Sequence, residues 1–204
     1  MSGRKGEPFL LAVAELRSRL RQGAYGPDMR LGPAEIGAEL GLSPTPVREA
    51  LSRLAGEGLL DDRRGEGFFP RRLSARDIAD LYRLSLCHLR VAHESPARGG
   101  PPLPECGADP VLAGERLLQG WVAASGGRVL LQAFVRIQNQ LAPIRRCEPL
   151  VLDGLAAELA DLVAAAQSRD GPALALRRFH LRRTRAADRL AAALEEGAPA
   201  IAQI

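Results

Sequence analysis

A chain of 204 residues has room for one domain or two small ones, and 46% hydrophobic with 25% charged residues excludes a collagen, a disordered tail and a disulfide-stapled miniprotein. Lys+Arg number 28 against 24 Asp+Glu, for a net charge of +4. Lys5 is the sole lysine, so the cationic surface is almost wholly guanidinium, which grips phosphates and base edges with a two-pronged fork, although codon bias accounts for such a composition equally well. Cys87, Cys106 and Cys147 are odd in number and widely spaced, so they specify neither a zinc knuckle nor a disulfide framework and suit a reducing compartment. There is no run of about 18 apolar residues to span a bilayer and no apolar signal-peptide core at the start, so the cytoplasm is the expected location.

Residues 1–76 hold 13 basic and 10 acidic side chains and mix helix with strand signals, whereas the rest reads as long Ala/Leu helices. Two domains are expected, 1–73 and 74–204. Phe9, Val13, Leu16 and Leu20 give one apolar face to a helix over about 8–22, with Arg17, Arg19 and Arg21 turned mostly away. A second helix starts near Pro33, carries Ile36 and Leu40 inward, and stops at Gly41. After a three-residue turn, Ser43 or Thr45 caps a third helix whose buried stripe is Val47, Ala50, Leu51 and Leu54. Pro44, Thr45, Arg48, Glu49, Ser52 and Arg53 are left facing out. Gly58 closes that helix, and 59–63 with 67–69 flank a turn at 64–66, which reads as a hairpin. Two helices at a tight turn followed by a hairpin make a winged helix-turn-helix.

Ser74 to Asp77 has the form of a capping box and opens a helix through Ile78, Leu81, Tyr82, Ser85 and Leu89. Prolines and glycines over 95–109 predict a mobile loop. Helices are then expected over 111–124, 128–141, 151–167 and 172–194, packed as an antiparallel bundle. The fold class is therefore mainly α, a winged helix-turn-helix followed by an all-helical domain.

A helix in the major groove presents a few adjacent side chains to base edges while its neighbours touch phosphates. Arg48 is the natural base reader, because its fork matches O6 and N7 of guanine. Thr45 suits a phosphate or a thymine methyl, and Ser43 at the helix amino terminus suits a phosphate. Arg53 shares the outward face. Gly65 and Gly67 let the wing backbone approach closely, with Arg63 and Arg64 positioned to neutralise phosphates. An ordinary solvated arginine face is the competing reading.

The run Leu42-Ser43-Pro44-Thr45-Pro46-Val47-Arg48-Glu49-Ala50-Leu51, with Glu57-Gly58-Leu59-Leu60, Gly67-Phe68-Phe69-Pro70 and Leu81-Tyr82, resembles the GntR family of bacterial transcription regulators, in the FadR-like branch with an all-helical FCD-type sensing domain. The resemblance is dense over 8–85 and thinner beyond. It implies a homodimer on an inverted-repeat operator in double-stranded DNA, a small carboxylate effector, and DNA contacts from Thr45 and Arg48. Pro44 stands where the family usually has an arginine, and Glu66 where its wing often has a basic residue.

Many members of this branch hold a divalent ion with an aspartate and three histidines. Here Leu118 and Gln119 fall at the first histidine position, and Glu158-Leu159 at a later Glu-His pair. Ser85 and Leu89 replace an arginine and a glutamate, and His180 alone matches. No metal or other cofactor is expected. His88 and His93 diverge along one helix and form no chelate. Three possibilities stay open for the helical domain: a drier pocket, an anion pocket using Arg136, Gln138, Arg178 or Arg182, or dimerisation alone. Catalysis is not expected, since Cys87-His88 point to different sides of a helix and no nucleotide-binding or nucleophile-elbow motif occurs. The alternative function is a winged-helix interaction or dimerisation module without effector response.

Overall fold

The computed structural model describes residues 7–94, 101–105, 107–168 and 171–197. The chain divides into two compact units, one running to Arg72 and the other spanning Leu73–Leu194. The expected class, mainly helical with a winged helix-turn-helix ahead of a helical unit, is the fold observed.

In the first unit, α1 (Glu7–Arg21), α2 (Pro33–Leu40) and α3 (Pro44–Gly56) precede β1 (Leu60–Arg63) and β2 (Gly67–Pro70). The period of α1 brings Ala12, Val13, Leu16 and Leu20 into the core, while Phe9 packs only partly against it. The α2–α3 turn is tight for identifiable reasons. Gly41 adopts φ 66°, and the Leu42 N–H returns to the Gly37 carbonyl at 2.8 Å. A Cβ on Gly37 would lie 2.7 Å from the Leu42 carbonyl oxygen, so only glycine fits there. Val47, Ala50, Leu51 and Leu54 then seat α3 on α1 and α2, all four without solvent exposure. β1 and β2 pair antiparallel, Arg63 opposite Gly67, with the Glu66 N–H closing the turn on the Arg63 carbonyl at 2.9 Å. A bridge that sequence reading missed joins Leu31 to Phe68, where the Leu31 N–H donates to the Phe68 carbonyl at 2.8 Å.

The second unit opens on α4 (Ala75–Glu94). Its expected capping box is formed: the Ser74 N–H and hydroxyl donate to Asp77 Oδ2 at 2.9 and 2.6 Å, and the Asp77 N–H returns to Ser74 Oγ at 3.2 Å. Ile78, Leu81, Tyr82, Ser85 and Leu89 are buried as the periodicity requires. α5 (Pro110–Ala124) is capped by Asp109, whose carboxylate accepts from the Val111 and Leu112 amides.

Three helix boundaries differ from expectation. α6 (Arg128–Arg146) runs five residues beyond Leu141 and through Pro143, because fully buried Leu141 and Ile144 outweigh the hydrogen bond the proline removes. The helix expected over 151–167 is instead a single turn, α7 (Glu148–Val151), and then α8 (Leu155–Gln167), separated by Gly154 at φ 66°. The last expected helix divides at buried Ala186 into α9 (Ala173–Arg185) and α10 (Ala187–Gly197). Of the loop expected over 95–109, residues 95–100 and Cys106 lie outside the described residues, and 101–105 have no regular structure. No helix among the described residues is long and apolar enough to cross a membrane.

Candidate nucleic-acid interface

The face of α3 opposite its buried stripe carries Pro44, Thr45, Arg48, Glu49, Ser52 and Arg53, all exposed. Ser43 occupies the N-cap position in extended conformation, yet its side chain makes no capping hydrogen bond, so its hydroxyl does not serve the cap expected of it. Thr45 sits two residues further on, in the first turn. Arg48 is exposed and engages no hydrogen bond or ion pair among the described residues.

The other arginines are not equivalent. Arg53 donates from Nε to Glu57 Oε1 at 3.1 Å, and its guanidinium carbon lies 5.9 Å from the Phe9 ring centre. Glu57 also accepts from Arg17 Nη2 at 2.7 Å. Burial works to raise the Glu57 carboxyl, but the hydrogen bonds from Arg17 and Arg53 outweigh it and hold the group below its ordinary range. Arg17 and Arg19, read as turned away, are thus paired, Arg19 with Glu15 and Glu39.

On the wing, Arg63 stacks over Phe69, 4.2 Å from the ring centre. Arg64 and Gly65 form the exposed tip with Glu66, and Gly65 takes φ 82°. Gly67 takes φ 110° and faces Arg30: a Cβ there would lie 3.1 Å from Arg30 Nε. Arg30, exposed beside the Leu31–Phe68 bridge, was missed by sequence reading because only that bridge brings its loop to the wing. The first unit therefore carries Ser43, Thr45, Arg48, Arg53, Arg63, Arg64, Gly65 and Gly67 on one helix and one hairpin, with Arg53 and Arg63 engaged and Arg48 and Arg64 without a partner among the described residues.

The second unit encloses a polar chain. Gln138 Nε2 donates to Ser85 Oγ at 3.3 Å, the Ser85 hydroxyl donates to His180 Nε2 at 3.0 Å, and His180 Nδ1 donates to the Leu176 carbonyl at 2.7 Å. The Leu176 carbonyl can only accept, so the proton sits on Nδ1, and burial keeps the ring neutral, which leaves Nε2 to accept from the Ser85 hydroxyl. Burial chiefly lowers the His180 pKa to about 3, and Arg145 and Arg183 reinforce the shift against the Leu176 hydrogen bond. Nε2, the nitrogen a metal would need, is occupied by Ser85. Arg183 makes a bidentate pair with Glu148 at 2.9 and 2.7 Å, and buried Tyr82 donates to the same carboxylate at 2.7 Å. Of the residues suggested for an anion pocket, Arg136 and Arg178 are exposed, Arg182 lies 3.6 Å from Glu158, and only Gln138 is interior. Among the described residues no group of three or more His, Cys, Asp or Glu is arranged to hold a metal.

These features define a winged helix-turn-helix protein with an attached helical unit. Residues 11–69 match the family described as bacterial regulatory proteins, gntR family, so the winged segment is of that type. The chain is 45% identical over 60 residues to the Nta operon transcriptional regulator of Aminobacter aminovorans, a stretch that is 29% of each chain. It is 31% identical over 80 residues to the uncharacterized HTH-type transcriptional regulator YdhC of Bacillus subtilis (strain 168), 38% of this chain and 35% of that one. The match thus spans about a third of these relatives' length. Two solved structures share the fold along nearly the whole chain. McbR/YncC of E. coli has a TM-score of 0.57 at 18% identity, covering 96% of this chain and 97% of that one. A GntR transcriptional regulator from Rhodococcus sp. RHA1 has 0.59 at 18%, covering 95% and 96%.

Proposed function

We propose that the protein is a GntR-family transcriptional regulator of the FadR-like branch, binding an inverted-repeat operator as a homodimer and acting as a repressor. In this reading α3 enters the major groove, Arg48 reads a guanine edge, Thr45 and Ser43 contact the neighbouring backbone, and the Arg64–Gly65 tip follows the phosphates. The helical unit dimerises and senses a small organic acid, an FCD-type role without the usual metal.

The observation that carries the proposal is the contrast along α3. Val47, Ala50, Leu51 and Leu54 anchor the helix completely, while Arg48 is held out with no partner among the described residues. A rigid rod with an uncommitted guanidinium is what base reading requires, because an arginine already paired with an acid would have to give up that pair. The test is affinity of the full chain for random duplex DNA at 50 and 200 mM salt. Counterion release predicts a loss of about a thousandfold or more for a protein neutralising six or more phosphates. Salt-independent or absent binding would favour the alternative, a winged-helix interaction module, for which Pro44 and the acidic wing-tip Glu66 are the supporting features.

A further inference from the structure

α8 and α9 lie antiparallel: the Gly171 N–H reaches the Ser168 carbonyl at 3.3 Å at one end, while further along Arg182 faces Glu158 at 3.6 Å and donates to the Asp153 carbonyl. An open groove of about 930 Å³ runs between the two helices, within the range of roughly 300–1,000 Å³ that small-molecule sites occupy. The interior chain of Gln138, Ser85 and His180 takes no part in lining it.

The groove changes character along its length. Toward the end where α8 leads into α9 its walls are Ala164, Ala165, Leu174 and Ala175, and Leu174 is 60% exposed there. Arg182, Arg185 and Arg189 stand at the other end, with Arg178 one turn before them. These four recur at intervals of four, three and four residues, so they form one stripe along α9 and into α10. Arg178, Arg185 and Arg189 are exposed and engage no hydrogen bond or ion pair among the described residues, whereas Arg182 is steadied by Glu158. One turn from Glu158, and so level with Arg178, Asp161 offers an exposed carboxylate that also has no partner among the described residues.

We infer that this groove binds a nucleoside polyphosphate, with the base against Leu174 and the alanines, the sugar beside Asp161, and the phosphates along Arg182, Arg185 and Arg189. Guanidinium forks take phosphate oxygens through paired hydrogen bonds, and the apolar end covers one face of a ring. The Asp161 carboxylate can only accept, so it calls for a donor such as a ribose hydroxyl. Duplex DNA brings phosphates but keeps its bases stacked away from an apolar wall. An acidic helix brings carboxylates, but its backbone donors are already used and leave nothing for Asp161. The inference goes beyond the DNA-binding reading and does not depend on it.

The experiment is calorimetric titration of the full chain, without DNA, with ATP and GTP, their monophosphates, inorganic tripolyphosphate and a hexaglutamate peptide, all at equal ionic strength. At least one triphosphate should bind in a saturating way, about tenfold or more tighter than its monophosphate and than tripolyphosphate. Replacing two arginines together, Arg185→Gln with Arg189→Gln, should weaken that binding about tenfold or more. Leu174→Asp should weaken it too, by placing a charge where the base rests. Arg177→Gln, exposed on α9 but outside the groove, should leave it unchanged. All four positions are exposed, so each variant should melt close to the wild type. The inference is overturned by no saturating binding of either triphosphate, or by an unchanged affinity in the double variant. Tripolyphosphate or hexaglutamate binding as tightly as the better nucleotide would overturn it by making the stripe a patch for any polyanion or for an acidic peptide. Equal loss in Arg177→Gln would reduce the effect to bulk charge. A smaller sedimenting species in the double variant would assign the stripe to a second copy of the chain and overturn the inference as well.

Discussion

Arg48 and Arg53 lie on one helix and share its outer face, yet their surroundings assign them different work. Arg53 is tied to Glu57 and rests near Phe9, so Arg53→Ala should cost the first unit about 1 kcal/mol of stability and change DNA discrimination little, as chemical denaturation and fluorescence anisotropy would report. Glu57 is 12% exposed and held by two arginines, so Glu57→Gln should cost about 1–3 kcal/mol, measured by denaturant melts at neutral pH. Its lowered pKa means that this contribution is complete above the ordinary carboxyl range and fades as pH falls through the folded value. His180 titrates with a different window. The folded protein keeps it neutral to about pH 3, whereas the unfolded chain protonates it near 6.5, so its contribution is whole above 6.5 and declines below. Unfolding free energy should fall by about 1.4 kcal/mol per pH unit through that interval, and His180→Gln should remove this part of the slope.

Helices with local signals were legible in the sequence, and those bounded by packing were not. α2, α3 and α4 carry their start and stop chemistry within a few residues: Pro33 and Gly41, Pro44 and Gly58, the Ser74–Asp77 box. The continuation of α6 through Pro143 depends on where Leu141 and Ile144 are buried, and the break at Ala186 lies inside a helix-favouring run, so neither is marked locally. The same limit applies to function. The exposed positions of Arg48 and Arg64 and the turn geometry of the wing glycines were legible because pattern and spacing are local. The Arg183–Glu148 pair was not, because 35 residues separate its partners and arginine is common throughout this chain. One element-scale test isolates the α2–α3 turn. Gly37→Ala places a methyl 2.7 Å from the Leu42 carbonyl and should destabilise the first unit by about 1–3 kcal/mol, despite alanine's better helix propensity. Gly56→Ala, with open space at its Cβ, should be neutral or stabilising by up to about 1 kcal/mol. Comparing denaturation midpoints of the two variants separates crowding from propensity.

At the scale of the whole molecule, a net charge of +4 is too small to make DNA affinity by itself, so the proposed binding depends on where the free guanidinium groups stand. The winged unit places Arg48 on one helix and Arg64 on one hairpin tip, whereas the helical unit keeps the Arg183–Glu148 pair in its interior. If two copies bind an inverted repeat, enzymatic or chemical footprinting should protect two half-sites about one helical turn apart.

The most direct measurement starts from duplexes selected by the wild-type protein from a random-sequence pool, and compares wild type with Arg48→Ala on a selected duplex and on its shuffled counterpart. A lost bidentate base contact, worth about 1–3 kcal/mol, should cost the variant roughly tenfold or more on the selected duplex while leaving the shuffled affinity and its salt slope nearly intact. Equal loss on both duplexes would reduce Arg48 to a phosphate contact, and contradict the account of α3 as the element that reads sequence.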